Sequence, residues 1–286
     1  MFTPQLTDDG SYTFFSEQFK ELFHSHSGAK LEAEQKFVSP CQLEEKAKRH
    51  MSLKILDVCY GLGYNSAAAL EKVWSINQKC HIELIALESD INVPYQSGIY
   101  HLLEQWPSSV RAPLTQLTRN YAIQTSRLRA NLLIGDARNT IQTIYQSGFK
   151  ADAIFLDPFS PPKCPQLWTL EFIKIVSGCL NPQGRLGTYS SAAAVRTALQ
   201  LAGLIVSSTK GVGRRSPGTI AGFDYQDLCP LSVREEEHLK TRAAIPYRDP
   251  NLQDSAMVIH QRRRIEQVSS DLEPTSHWKK RWKDSV

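Results

Sequence analysis

Six cysteines stand at positions 41, 59, 80, 164, 179 and 229 of a 286-residue chain, with no Cys-x-x-Cys pair and no clustering with histidine. Neither a zinc site nor a disulfide framework is signalled, and reduced thiols in the cytoplasm are expected. No apolar run approaches the length of about 20 residues that spans a bilayer, and the start Met1 to Gly10 has no basic segment followed by an apolar core. A soluble, unexported protein without a membrane partner is expected. Internal repeats and low-complexity tracts are absent as well. The turn Gly61-Leu62-Gly63 lacks the third glycine of a dinucleotide fingerprint and the Gly-Lys-Ser/Thr of a phosphate loop, so it supports neither a nicotinamide nor an ATP reading.

What is present is a short apolar run, Lys54-Ile55-Leu56-Asp57-Val58-Cys59-Tyr60, that ends beside an acid and turns on those two glycines into Asn65-Ser66-Ala67-Ala68, a helix start. Glycines permit tight turning and close ligand approach, and the N–H groups of a helix start favour an anionic or polar group. Three further apolar runs also end in acids: Ile82 to Leu87 in Glu88, Asn131 to Ile134 in Gly135-Asp136-Ala137, and Ala153 to Leu156 in Asp157-Pro158-Phe159. Glu88 follows Gly61 by 27 positions, close to where an open α/β sheet places a ribose-binding acid. One acid after a strand is often a helix cap. Four in order argue for one ligand along the carboxyl edge of a parallel sheet.

That pattern resembles a class I S-adenosylmethionine-dependent methyltransferase. The resemblance implies an α/β, Rossmann-like sheet of seven mostly parallel strands with helices on both faces. Residues 184–190, 204–209 and 219–223 supply the remaining extended runs. It also implies that Asp57, Tyr60, Gly61, Gly63 and Asn65 line the methionine part of the cofactor, that Glu88 holds the ribose, and that Asp136 with Ala137 faces the adenine. For rings such as Tyr60, ordinary packing over the turn is the alternative. With 41% hydrophobic residues, one full core is affordable. The expected division is an entry and substrate segment at 1–50, the methyltransferase domain at 51–225, and a basic helical extension at 226–286. In that extension Ser232 to Arg242 reads as a helix with Ser232 and Glu235 as a capping box, and a last, Arg-rich helix is expected over Ser255 to Val268.

The loop after the fourth acid carries the substrate information. Four prolines in the eight residues Pro158 to Pro165 make it stiff, and methyl transfer depends on holding nucleophile, carbon and sulfur in line. Asp157-Pro158-Phe159 loosely resembles the Asp/Asn-Pro-Pro-aromatic motif of enzymes that methylate amino nitrogens, with Asp157 catalytic and accepting from the amine while Phe159 packs on the base. More specifically, Leu156 to Thr169 is similar to the Leu-Asp-Gly-Phe-Ala-Pro-x-Lys-Asn-Pro-x-Met-Trp-Thr segment in the methyltransferase part of the MnmC family. Thr188 to Gly203, Lys210 to Arg215 and the entry blocks Gly10 to Glu17 and His24 to Glu32 match that family too. Asp57 replaces its frequent Glu, and Pro158 its Gly.

The MnmC resemblance implies N-methylation of 5-aminomethyl-(2-thio)uridine to 5-methylaminomethyl-(2-thio)uridine at the tRNA wobble position. The cofactor would be S-adenosylmethionine, and another enzyme would supply the aminomethyl group, because the chain ends too soon for the flavin-dependent domain of two-domain MnmC. Lys210, Arg214 and Arg215, with Lys163, would contact the anticodon region. Tyr12, Phe14 or Trp168 would stack on the base unless they are core, and Glu32 would bind substrate or cap a turn. No metal is expected. The alternatives are a methyltransferase for a small-molecule or protein amine, a noncatalytic RNA-binding protein on the same fold, and a polyamine aminopropyltransferase, whose Gly-Gly-Gly-Asp-type loop this chain lacks.

Overall fold

The runs that end in acids alternate their side chains between two cores. Leu53 and Ile55 on the strand Ser52–Val58, with Ala153 and Phe155 on the strand Ala151–Leu156, face one core, whereas Leu56, Val58, Ile154 and Leu156 face the other. A strand buried on both faces reads as a continuous apolar run, although its side chains still point alternately up and down. The structure, a computed structural model, describes residues 3–209 and 217–283.

Strands are numbered along the chain. Two small N-terminal hairpins pair β1 (Gln5–Leu6) with β2 (Tyr12–Thr13) and β3 (Phe15–Ser16) with β4 (Glu21–Leu22). The main sheet comprises β5 (Ser52–Val58), β6 (His81–Glu88), β7 (Ala122–Gln124), β8 (Leu128–Ile134), β9 (Ala151–Leu156), β10 (Leu180–Thr188), β11 (Ile205–Ser208) and β12 (Thr219–Gly222). Its order is β11-β12-β10-β9-β5-β6-β8-β7, parallel except for β12, which runs against both β10 and β11, and β7, which runs against β8. The sheet therefore has eight strands rather than the expected seven. The addition, β7, is a three-residue edge strand held by a tight return through Thr125, too short to show a period in sequence.

Helices cover both faces. α1 (Ala29–Glu32), which continues as a π-helical stretch through Val38, joins α2 (Leu43–Arg49), α3 (Tyr64–Ile76), α4 (Asn92–Ile99) and α5 (Ser108–Asn120) on the face built around Phe37, Leu70 and Leu114. α6 (Ala137–Gln146), α7 (Leu170–Gly178) and α8 (Ala193–Leu201) pack on the other, around Ile141, Ile173 and Val195, where Tyr247 and Ile259 from the C-terminal segment also lie. The chain leaves β5 toward β6 and β8, then returns to place β9 on the opposite side of β5. That reversal opens a crevice at the carboxyl ends of β5 and β9, where open α/β sheets bind ligands.

The C-terminal helices differ from expectation in extent. α9 spans only Val233–His238, though the Ser232/Glu235 capping box is formed, and the chain passes into a 3₁₀ turn at Arg242–Ala244. α10 (Ala256–Ser269) begins after Ser255 as expected, but α11 (Thr275–Arg281) follows it. Within this region Arg196 of α8, almost wholly buried, donates to Thr219 Oγ1 (3.0 Å), Ser208 Oγ (2.7 Å) and Glu235 Oε1 (2.8 Å), joining α8, β11, β12 and α9.

Partial burial pushes the Glu235 carboxyl up, but bonds from Ser208, Arg196 and Ser232 outweigh it and bring its pKa to about 2. A depressed carboxylate contributes stability that is complete above its unfolded value near 4.5 and is lost as pH falls through about 2. Allowing for solvent screening, that contribution is about 2 kcal/mol. Glu235→Gln is expected to lower unfolding free energy by that amount at pH 7, with the deficit shrinking below pH 4.5. Urea titrations at pH 7 and pH 3 check this; an equal deficit at both would remove the ion pair from the account.

Candidate active site

At the end of β5 the backbone turns through three left-handed residues, Cys59 (φ 71°), Gly61 (φ 56°) and Gly63 (φ 84°). Such a conformation costs a non-glycine residue of order 1 kcal/mol or more and clusters at functional sites. The Cys59 and Tyr60 N–H groups both donate to the Leu87 carbonyl of β6 (3.0 and 2.8 Å), tying the turn to the neighbouring strand. A Cβ on Gly63 would lie 2.6 Å from Tyr60 Oη, whereas one on Gly61 would meet nothing closer than 3.8 Å. Gly63 caps α3 with no side-chain cap bond.

Two buried acids frame this turn. Asp57 is fully buried: Oδ2 accepts from Ser66 Oγ at 2.6 Å and Oδ1 has no partner. Burial raises its pKa to about 7, the neighbouring Glu88 charge adds to that, and the Ser66 bond opposes it. Glu88 is also pushed up by burial, against backbone N–H bonds from Gly61 (2.9 Å), Ser89 (2.7 Å) and Asp90 (3.0 Å). Glu88 thus orients the glycine turn as well as facing the crevice.

The crevice is a cavity of about 510 Å³, floored by the carboxyl ends of β5, β6, β8 and β9 and roofed by the β3–β4 hairpin and the residues after it. Gly61, Glu88, Asp136, Ala137, Asp157, Phe159 and Glu32 lie on its wall. Asp57, Tyr60 and Gly63 lie behind the turn rather than on the wall, and Asn65 reaches it indirectly, donating Nδ2–H to Asp157 Oδ2 at 2.8 Å. Asp136 caps α6 and pairs with Arg138 (2.7 Å), whose other arm pairs with the buried Asp249 of the C-terminal segment (3.0 Å). Burial raises the Asp136 pKa, but the Arg138 bonds prevail and hold the carboxyl below its usual range.

The proline-rich loop is held from several sides. The Pro158 carbonyl accepts from Tyr189 Oη (2.9 Å), the Phe159 carbonyl from Trp168 Nε1 (2.8 Å), and the Pro162 carbonyl from His260 Nε2 (3.0 Å). The Phe159 ring stacks on Phe19 (4.3 Å between centroids, 18° between planes) and meets Phe23 edge-on at 5.1 Å. The expected stacking faces need correction. Trp168 is fully buried as a brace for the loop, and Phe14 is fully buried against Tyr100, so neither presents a face to a base. Tyr12 is 38% exposed but off the cavity wall, and its N–H donates to Tyr64 Oη; Lys163 is exposed beside the wall. Lys210, Arg214 and Arg215 lie outside the described residues.

Sequence reasoning missed Phe19, Glu21, Phe23, His24, Arg138 and Tyr189 on the wall. The only sequence signal for Phe19, Glu21 and Phe23 is their place between the two entry blocks that match the MnmC family, and His24 opens the second block. Cys59 and Cys164 also line the cavity, but burial pushes both thiols up, Cys164 to about 12, so neither supplies a thiolate near neutral pH. The run Arg262-Arg263-Arg264 is largely structural: Arg262 pairs with Asp254, and Arg263 donates to the Ile245 and Ala243 carbonyls over the Tyr247 ring.

Residues 94–223 match the family described as S-adenosyl-L-methionine-dependent methyltransferase. MnmC2 from Aquifex aeolicus superposes with a TM-score of 0.82 at 33% identity, over 94% of this chain and 86% of that one. This chain belongs to the MnmC2 family of S-adenosyl-L-methionine-dependent methyltransferases. An uncharacterised protein of Methanocaldococcus jannaschii is 30% identical over 86% of this chain and 67% of its own. The bifunctional MnmC of Ralstonia nicotianae, named for tRNA 5-methylaminomethyl-2-thiouridine biosynthesis, is 28% identical over 77% of this chain, which spans only 34% of its length. The MnmC2-type cavity here suits the cofactor on its own terms. The open side of Gly61 and the carboxylate of Glu88 face a space within the range of about 300–1,000 Å³ usual for such ligands.

The two glycines predict different sensitivities. Gly61→Ala is expected to cost about 1 kcal/mol, from backbone strain alone, and Gly63→Ala about 3 kcal/mol, because Tyr60 must also shift. Chemical denaturation of both variants checks the ranking; equal costs would mean that Tyr60 moves freely.

Proposed function

We propose that this protein transfers a methyl group from S-adenosylmethionine to the primary amine of 5-aminomethyl-(2-thio)uridine at the wobble position of tRNA, in the cytoplasm. The observation that carries the reading is the Asp157 carboxylate on the cavity wall, oriented by Asn65 and followed at once by the aromatic Phe159. The names of the MnmC relatives supply the tRNA substrate. Among the described residues no helix is long and apolar enough to cross a membrane.

When bound, the cofactor supplies a methyl group on a positively charged sulfonium. Among the described residues the cavity wall carries seven carboxylates against the single guanidinium of Arg138, a field that favours two cationic reactants, the sulfonium and the ammonium form of the amine. Losing the ammonium proton near neutral pH costs roughly 4 kcal/mol for about three pKa units. Asp157 accepts the amine's hydrogen bond, aims its lone pair into the cavity and assists the proton's departure. Phe159 packs on the uracil ring, and Glu32 and Lys163 contact substrate. Glu88 takes the ribose, Asp136 and Ala137 the adenine, and the turn from Asp57 through Tyr60, Gly61 and Gly63 to Asn65 the methionine end. Lys210, Arg214 and Arg215 meet anticodon phosphates. Residues 51–225 form the catalytic domain, with 1–50 as its substrate segment and 226–286 as its extension. An earlier reaction must leave the wobble substituent as a free primary amine.

Labelled S-adenosylmethionine and bulk tRNA from cells unable to complete this modification provide the test, with nucleosides separated by mass. Label in 5-methylaminomethyl-uridine is the expected outcome; donor binding without labelled tRNA would redirect the reading to a protein or small-molecule amine. Asp157→Ala should lower kcat roughly 100-fold or more with donor affinity kept. Glu88→Ala should weaken donor binding roughly tenfold or more. Equal loss of binding in both would refute this division of roles.

A further inference from the structure

We propose that Glu21 is a positioning residue for the transfer reaction, a clamp that fixes the Asp157-Pro158-Phe159 loop from the roof of the cavity; this rests on the reading of Asp157 and Phe159 given above. Glu21 sits on β4, in register with Ser16 of β3. Both of its carboxylate oxygens are committed to one residue: Oε2 accepts the Ser160 backbone N–H at 3.0 Å and Oε1 the Ser160 hydroxyl at 2.5 Å. Two bonds to one residue restrain rotation as well as distance, and bonds to a charged acceptor are the stronger kind. Ser160 adjoins Phe159 and is three residues from Asp157.

The clamp acts where other restraints do not. Tyr189 and Trp168 hold the Pro158 and Phe159 carbonyls from the sheet and the 3₁₀ turn at Pro165–Trp168. Asn65 holds the Asp157 carboxylate from α3. Glu21 alone among these comes from the N-terminal roof, and the same hairpin region places Phe19 and Phe23 around the Phe159 ring. A carboxylate in an already acidic cavity is electrostatically unfavourable there, so a purely structural tie would be better served by a neutral acceptor. A roof whose hydrogen bonds end one residue past the reacting loop sets the height of Phe159 over the floor, and a displacement of about 1 Å in such a geometry costs on the order of 100-fold in rate.

The Glu21 carboxylate holds Ser160 rather than a residue assigned to the cofactor, so the effect should fall on kcat. Glu21→Ala is expected to lower kcat for aminomethyl-tRNA at least tenfold while the Kd for S-adenosylmethionine stays within twofold. Glu21→Gln, which keeps one acceptor oxygen, should recover part of that loss. Ser160→Ala, which keeps the backbone donor, should lose less than Glu21→Ala, and the double variant should be no worse than Glu21→Ala alone. An unchanged kcat in Glu21→Ala overturns the proposal, as does a donor affinity that falls in step with kcat, which would make Glu21 a general support. Amide exchange at Ser160, read by NMR, separates this proposal from the substrate reading. If the unmodified enzyme leaves aminomethyl-tRNA unmethylated, the substrate reading falls; faster Ser160 exchange in Glu21→Ala then sustains the clamp, and unchanged exchange overturns it.

Discussion

Two carboxylates buried at the ends of adjacent parallel strands are the constraint around which this structure is organised. Burial raises the cost of ionising both Asp57 on β5 and Glu88 on β6, and the Glu88 charge raises that of Asp57 further. Glu88 is stabilised by three backbone N–H groups, one of them from Gly61, so the same bonds that lower its cost hold the glycine turn open. Asp57 is held by Ser66 alone, and its second oxygen is without a partner. A buried acid with one oxygen unpaired is electrostatically costly, a cost that a hydrogen-bond donor or a nearby positive charge would relieve.

The rest of the site is assembled by bringing distant chain segments to that floor. The β3–β4 hairpin and the residues after it form the roof through Glu21, Phe19 and Phe23, and the segment after β12 reaches back to the site through the Arg138–Asp249 pair and the His260 bond to Pro162. Three basic side chains of the C-terminal part, Arg248, Arg262 and Arg263, serve largely as internal ties. Basic composition alone is therefore a poor guide to where phosphate would bind: a guanidinium that satisfies buried carbonyls looks the same in sequence as one held out to solvent.

The acids Asp57, Glu88, Asp136 and Asp157 were legible because parallel strands buried on both faces appear as apolar runs, and the residue that ends such a run is easily located. The same logic finds the main strands but not β7, whose three residues pair only with β8. Aromatic residues were the least legible. Phe14, Trp168 and Phe159 have the same chemistry on paper, yet the first two are wholly buried while Phe159 lines the cavity. Their fates depend on what packs against them: Tyr100 on Phe14, the Phe159 carbonyl on Trp168, and Phe19 and Phe23 on Phe159.

By itself, then, the sequence determined the doubly wound α/β architecture, the glycine turn and the order of acids along one sheet edge. These depend on local properties: strand hydrophobicity, the conformational freedom of Gly61 and Gly63, and the capping of α6 by Asp136. Only the tertiary structure decided that Asp57 sits behind the wall rather than on it, that Asn65 orients Asp157, and that a carboxylate from position 21 grips position 160. The last contact joins residues 139 apart in the chain. No periodicity or spacing encodes such a meeting, because it exists only once the sheet has ordered both partners and placed the hairpin over its carboxyl edge.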